Sequence, residues 1–306
     1  MAAVAGTVFR LAHLSDPHLA LSVNPRWRDL LSKRLTGYVN WRLRRREAHD
    51  MTILAELVAD VRSQAVDHIV VVGDFANIGL PSEFRVARRF LQELGTPDQV
   101  TAVPGNHDVY VRGAGEPMIS AIGPWMTADG ADAPDFPFLK RRGPIALIGL
   151  SSGIPTSPLL ASGRLGERQI ARLDTLLESL RQEGLIRVVL IHHPPHAGGA
   201  ARLRQLTDAT KLRDVLARRG CEVVLHGHNH RASRAWLRGP KGQIPVIGAP
   251  SASAHPSRSH WPGWWLIEID AQDEPKAAIS ARLRHYDASR SAFTERAVGS
   301  DPAART

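Results

Sequence analysis

Five short polar clusters, each directly behind an apolar run, concentrate side chains that ligate metals. They are Asp16-Pro17-His18, Gly73-Asp74, Gly105-Asn106-His107-Asp108, His192-His193-Pro194 and Gly227-His228-Asn229-His230. Together they offer imidazole, carboxylate and amide donors and no thiolate. That set is too hard for a structural zinc knot and suits Mn, Fe, Zn or Co with open coordination positions. Seven plausible ligands are more than one ion needs and about right for two ions sharing a carboxylate. Such a pair clamps one phosphoryl group, acidifies water for in-line attack and offsets charge on the phosphoryl oxygens. The chemistry expected is two-metal hydrolysis of a phosphate ester.

The elements that must place these residues lie just ahead of them. Residues 9–15, 68–72, 100–104, 187–191 and 223–225 are short, apolar and rich in β-branched side chains, as strands covered on both faces are. In open α/β sheets, ligands gather beyond the carboxyl ends of the strands, and all five clusters stand there. If the chain stays extended past each strand, residues two apart point the same way. Asp16 and His18 are then expected to share one ion, and His228 and His230 likewise. Gly73, Gly105 and Gly227 let the backbone turn tightly beside an ion or a phosphate. His107, next to Asn106, is placed to protonate a leaving alkoxide, and Asp108 either orients His107 or caps the turn that follows. Singly, each cluster reads equally well as ordinary turn polars; five in this order and context do not.

Helices alternate with the strands. Met51, Leu54, Leu57, Val58 and Val61 make one apolar face; Phe84, Ala87, Phe90 and Leu91 make a second. A third runs from Ile170 to Leu180 and closes at Gly184, and a fourth holds Leu212, Val215 and Leu216 and closes at Gly220. Strands alternating with helices indicate an α/β fold. Further strands are expected at 145–150, 244–248 and 264–269. The Gly/Pro-rich stretch 113–137 reads as a long loop.

The ordered set D-x-H, G-D, G-N-H-D, H-x-P and G-H-x-H, within about residues 9–270, resembles the calcineurin-like metallophosphoesterase family. The resemblance implies a four-layer α/β/β/α sandwich with a dinuclear metal site at the strand C-terminal edge. It implies that Asp16, His18 and His230 hold a first divalent transition metal ion, that Asp74 bridges, and that Asn106, His192 and His228 hold a second. His107 then faces the substrate as general acid. His192 is preferred to His193 because the family's ligand usually stands two residues before the proline.

At 306 residues, the chain reads as one domain over 1–287 followed by a polar tail, 288–306, expected to fray. Hydrophobic content of 43% suffices for a large core. The single cysteine, Cys221, excludes an internal disulfide and reads as a buried structural thiol. No apolar run reaches membrane-span length, and the apolar opening Ala2–Gly6 lacks a basic flank, so a cytoplasmic protein is expected. A net charge of +9 favours an anionic phosphate-ester substrate and anionic partners generally without identifying one.

Segment 26–46 departs from a minimal family core. Trp27, Leu30, Leu31, Leu35 and Tyr38 approximate a helical stripe interrupted by Gly37. Arg26, Arg28, Lys33, Arg34, Arg42, Arg44, Arg45 and Arg46 surround it. This basic amphipathic insertion reads in three ways: a cap in peripheral contact with anionic membrane, a rim that steers phosphate, or a packed helix with a solvated basic edge. His255 and His260 read as surface histidines. Trp261, Trp264 and Trp265 read as core or substrate wall. The basic-aromatic interleaving of single-strand binders is missing, so nucleic acid is not expected as a partner. The leading function is a phosphodiesterase acting on a cyclic nucleotide, a glycerophosphodiester or a similar small diester. The alternative is a membrane-surface pyrophosphatase of a lipid-linked nucleotide such as UDP-2,3-diacylglucosamine. A nuclease has only the basic charge behind it, and a non-catalytic module conflicts with the complete ligand set.

Overall fold

The computed structural model describes residues 8–21, 25–45, 47–256, 261–270 and 278–296. Arg46, His260 and the tail from 297 lie outside the described residues. Strand β1 (Phe9–Leu14) pairs in parallel with β2 (His68–Val72), and β2 with β3 (Val100–Val103). A second sheet follows, built of β4 (Phe138–Arg142), β5 (Ile145–Gly149), β6 (Ile186–Leu190), β7 (Val223–His226), β8 (Ser233–Gly239) and β9 (Gly242–Gly248), in the order β4-β5-β6-β7-β9-β8. The chain then returns antiparallel to the first sheet as β10 (Gly263–Asp270), β11 (Ala278–Asp287) and β12 (Ala292–Arg296), giving the order β12-β11-β10-β1-β2-β3.

Helices α1 (Lys33–Asn40) and α2 (Met51–Ser63) connect β1 to β2, and α3 (Pro81–Leu94) connects β2 to β3. Then α4 (Gly115–Ile122) precedes β4, α5 (Glu167–Gln182) precedes β6, and α6 (Ala209–Arg219) precedes β7. The period of two along the strands sets the layers. Leu147, Val188, Leu190, Val223 and Leu225 join the core shared with the first sheet and with α2 and α3. Ala146, Ile148, Val189 and Val224, one residue out of phase, pack with α5 and α6. The result is the four-layer α/β/β/α sandwich expected from the resemblance.

Two sequence expectations need correction. The stretch 113–137 is not all loop: it contains α4 and a 3-10 turn, Gly123–Met126. Met118, Ile122, Trp125 and Met126 are buried at helical spacing. Gly115, Pro117 and Pro124 hide that spacing, although proline is tolerated in a first helical turn. The polar tail also begins later than Ala288. Residues 292–296 pair with β11, and Phe293 packs on Tyr286 with ring centroids 5.4 Å apart. A half-exposed edge strand with one apolar anchor reads as a tail in sequence.

One buried carboxylate supports the loop after β2. Glu83, at the third position of α3, accepts hydrogen bonds from the N–H groups of Asn77 (2.5 Å), Ile78 (3.2 Å) and Leu80 (2.9 Å). Glu83→Ala leaves three donors without this acceptor and is expected to lower unfolding free energy by about 3 kcal/mol, with Glu83→Gln losing less. Urea denaturation measures both. A loss below about 0.5 kcal/mol, the level of an ordinary surface substitution, would show the carboxylate to be dispensable.

Candidate dinuclear metal centre

All seven candidate ligands follow strand ends, and they come from both sheets. Asp16 and His18 follow β1, Asp74 follows β2, Asn106 follows β3, His192 follows β6, and His228 and His230 follow β7. The loops are stitched together by main-chain bonds. Asp16 N–H donates to Gly73 O (3.1 Å), His18 N–H to Asp74 O (3.0 Å) and Gly227 N–H to His192 O (3.1 Å). Close approach explains the glycines. A Cβ at Gly105 would meet the Asp74 carboxylate, and one at Gly227 would meet the Ser15 hydroxyl.

The side chains converge as two groups that share Asp74. Asp16, His18, Asp74 and His230 form one, and Asp74, His192 and His228 the other. The extended-chain argument therefore fails for one pair: His228 and His230 join different groups. It also misstates how Asp16 and His18 meet. Asp16 (φ 51°), His18 (φ 37°), Asp74 (φ 58°), His228 (φ 71°) and His230 (φ 55°) all have left-handed backbone. Non-glycine residues rarely adopt it, and such outliers collect at functional sites.

Each carboxylate has one oxygen clamped and one turned inward. Asp16 Oδ2 accepts from His228 N–H (2.9 Å) and the Ser15 hydroxyl (2.6 Å). Its Oδ1 lies 3.2 Å from His230 Nε2. Asp74 Oδ1 accepts from His107 N–H (2.8 Å), while Oδ2 stands 3.8 Å from His18 Nε2 and 3.3 Å from His192 Nε2. The imidazoles are oriented in the same way. His18 Nδ1 donates to Ala76 O (3.3 Å), His192 Nδ1 to Val72 O (2.8 Å) and His228 Nε2 to Arg204 O (2.9 Å). Fixing one ring nitrogen leaves the other as a donor of electrons, the usual support around a metal-binding histidine.

Several atoms have no hydrogen-bond partner despite full burial: Asp16 Oδ1, Asn106 Oδ1 and His192 Nε2. Orphaned buried polar atoms are costly. His18 Nε2 and His230 Nε2 are 3.1 Å apart. Two imidazole nitrogens bound at about 2.0–2.1 Å to one ion stand about 3 Å apart. Burial and the neighbouring His49 and His230 hold the His18 imidazole well below its ordinary value. Burial with His193 and His192 does the same for His228. Burial works against the Asp74 carboxylate, but His192 and His107 outweigh it and keep Asp74 well below the usual range. Neutral imidazoles and ionised carboxylates are the ligating forms. The residues fit a pair of divalent cations.

Other neighbours are supports. His193 is buried, with Nδ1 against Ser152 Oγ (2.8 Å) and Nε2 donating to Ala161 O (3.1 Å), so it points into the wall behind His192. Asp108 bonds to main-chain N–H groups around it. Its carboxylate accepts from Asp74 N–H (2.9 Å), Ala76 N–H (2.9 Å) and Gly105 N–H (2.8 Å), tying the bridging-aspartate loop to the Asn106 loop. Burial and the Asp74 charge push its carboxyl up to about 7. Asp108 thus holds the two loops against each other. His107 is oriented by Asn77, whose carbonyl accepts from Nδ1 (2.5 Å). Trp264 and Trp265 are core, whereas Trp261 is 45% exposed.

Sequence reasoning missed His49. Its ring centroid lies 4.7 Å from that of His18 and 6.0 Å from that of His230. His49 pairs as a bridge with Ala254, and Nδ1 meets Ser253 Oγ at 2.8 Å. The flanking His255 N–H bonds to Ala48 O (2.8 Å). No local motif marks His49. Ser15 and Asn77 were equally silent, because their roles are made by folding.

A sequence profile of calcineurin-like phosphoesterases matches residues 9–232. The chain belongs to this family. This phosphoesterase is 25% identical over 238 residues to a probable cyclic nucleotide phosphodiesterase of a Synechococcus strain, covering 74% of this chain and 80% of the relative. It is 24% identical over 231 residues to the glycerophosphodiester phosphodiesterase GpdQ of Enterobacter lignolyticus, covering 74% and 73%. In fold, the phosphoesterase resembles a dimetal phosphatase from Danio rerio (TM-score 0.52, 16% identity, 90% and 98% covered). It also resembles a purple acid phosphatase from yellow lupin (TM-score 0.57, 11% identity). The match covers 95% of the phosphoesterase but only 53% of the lupin enzyme, so the chain spans about half of that protein's length.

Proposed function

We propose that this metallophosphoesterase hydrolyses a small anionic phosphodiester of the cyclic-nucleotide or glycerophosphodiester type. Asp16, His18, Asp74 and His230 would hold one divalent ion, and Asp74, Asn106, His192 and His228 the other, drawn from Mn, Fe, Zn or Co. When bound, such a pair supplies positive charge to the phosphoryl oxygens and lowers the pKa of water. The observation that carries the reading is Asp74 Oδ2, which faces His18 Nε2 and His192 Nε2 from between the two groups. The diester class draws on the names of the two relatives.

His107 takes the role of general acid. Its Nδ1 proton is committed to Asn77 O, which leaves Nε2 to carry and release the second proton. The ring stacks on Tyr110 with centroids 5.5 Å apart and meets His18 edge-on at 5.0 Å. These contacts hold it beside the first group without enlisting it as a ligand. Proton delivery to the leaving oxygen is worth about 10²–10⁴-fold when the leaving group is a poor one.

A pyrophosphatase of a lipid-linked nucleotide is the second reading, favoured by exposed apolar side chains on the segment beside Tyr110. The test is a panel of substrates for metal-reconstituted protein: bis-p-nitrophenyl phosphate, p-nitrophenyl phosphate, cyclic AMP, a glycerophosphodiester and UDP-2,3-diacylglucosamine in detergent. The diester reading expects kcat/KM for bis-p-nitrophenyl phosphate to exceed that for the monoester by about tenfold, a barrier difference of about 1.4 kcal/mol. Preference for the monoester would overturn it. Turnover confined to the lipid-linked pyrophosphate would establish the second reading.

A further inference from the structure

We propose that helix α1 and its flanking turns form a docking face for an anionic lipid bilayer, at the rim of the metal centre. The proposal rests on a surface separate from the catalytic groups. Trp27, Leu31, Leu35, Val39 and Leu43 recur at every fourth position, and they are 67%, 72%, 51%, 46% and 76% exposed. Residues four apart make one ridge along a helix. Within α1 this ridge holds Leu35 and Val39; Trp27 and Leu31 come before its extended cap Ser32, on and just after a 3-10 turn, and Leu43 lies on a π-helical turn after it.

The opposite side of the segment is already occupied. Leu30 and Tyr38 pack against Ile78, Leu80 and Tyr110. Gly37 is the contact point: a Cβ there would stand 2.5 Å from the Tyr110 hydroxyl. Two of the cations expected on the surface are turned inward. Lys33 donates to Thr156 Oγ1 (2.6 Å) and Leu160 O (3.0 Å), and Arg34 donates to Ile78 O (3.1 Å) and Gly79 O (2.6 Å). The helix is thus seated firmly on the domain, and the apolar ridge is what remains outside.

Charge selects the occupant. Arg26, Arg28 and Arg42 are exposed next to the ridge. The one carboxylate in positions 26–46 is Asp29, half-buried beside them. Leucine and tryptophan on one face with arginine alongside is the composition of helices that lie in a membrane interface. Anionic headgroups satisfy the arginines, while the acyl boundary takes up the ridge.

Two further exposed leucines lie on loops tied to this segment by hydrogen bonds. Leu159, 91% exposed, lies on the loop that Lys33 grips through Leu160 O. Leu203, 56% exposed, lies on a loop joined to that one by the Ala161 N–H to Leu203 O bond (3.0 Å). The next residue, Arg204, accepts from His228 Nε2 through its carbonyl. Seven of the eleven large apolar side chains exposed among the described residues sit on these three linked segments. A scatter of single apolar residues needs no explanation; a concentration of them marks an interaction surface.

The test uses the full chain in co-sedimentation with phosphatidylcholine vesicles, with and without phosphatidylglycerol. Wild type is expected to pellet with the anionic vesicles and to be released by salt. Leu31→Ser/Leu35→Ser should weaken binding about tenfold or more. Arg28→Glu/Arg42→Glu should weaken it by at least about fivefold per arginine. Both variants should hydrolyse bis-p-nitrophenyl phosphate like wild type, which shows that fold and site are intact. Wild type remaining in the supernatant at low salt would overturn the proposal. So would unchanged binding by the serine variant. A concentration-dependent dimer of wild type that Leu31→Ser/Leu35→Ser disperses, without vesicle binding, would assign the ridge to a second copy instead.

Discussion

Asp74→Ala is expected to abolish both metal sites at once. Asp74 is the residue common to the two convergent groups, and its Oδ2 faces His18 on one side and His192 on the other. Removing it takes a negative charge from a cluster otherwise rich in imidazoles, so the loss falls on both ions. Outer-sphere partners of a metal are worth about 10–100-fold in affinity or activity, so loss of a shared ligand should cost about a thousandfold or more in turnover. Elemental analysis of purified protein should show less than one tightly held ion per chain, with circular dichroism unchanged. His230→Ala offers the contrast: it touches only the first group, and the second ion should be retained. If Asp74→Ala kept two tightly bound ions and full turnover, the shared-ligand assignment would be wrong.

His107→Gln is expected to separate acid catalysis from metal binding. The imidazole is held by Asn77 O and by stacking on Tyr110, while the His107 main-chain N–H donates to Asp74 Oδ1. Metal content should therefore stay at the wild-type level. Turnover of an alkyl phosphodiester should fall by about 10²–10⁴-fold, because the departing alkoxide needs a proton. Nitrophenyl esters leave readily without one and should lose far less. Equal losses on both ester types would point to substrate binding as the role of His107. Asn77 enters through its main chain, while its side chain meets Leu19 O and the Glu83 carboxyl, so side-chain substitutions should perturb this pattern only indirectly.

The placement of the candidate site was legible because its residues stand at the ends of buried strands. A buried strand writes itself as a run such as His68–Val72, and an active loop follows as Gly73-Asp74. The partition of ligands between two groups was not legible from local geometry. It depends on left-handed turns at Asp16, His18, His228 and His230, which alternation rules cannot anticipate. The resemblance supplied a partition; in the structure Asp16, His18, Asp74 and His230 converge as one group and Asp74, His192 and His228 as another. Edge strands such as β4 and β12 were missed because one face is solvated and their sequences are polar. His49 and Asn77 were missed for a different reason: the contacts that define them cross from one loop to another, and no spacing within the chain encodes them.

Each candidate ion group draws on both sheets. Asp16, His18 and Asp74 come from the first sheet and His230 from the second; Asp74 and Asn106 come from the first, His192 and His228 from the second. Neither half of the chain owns a complete set. Ions bound by both groups would tie the two sheets together at this edge. A ligand that binds only the assembled state adds about 2.7 kcal/mol of stability when it is present at a hundredfold excess over its Kd. Divalent ions held by both groups would then add to the stability of the folded chain as well as to its turnover.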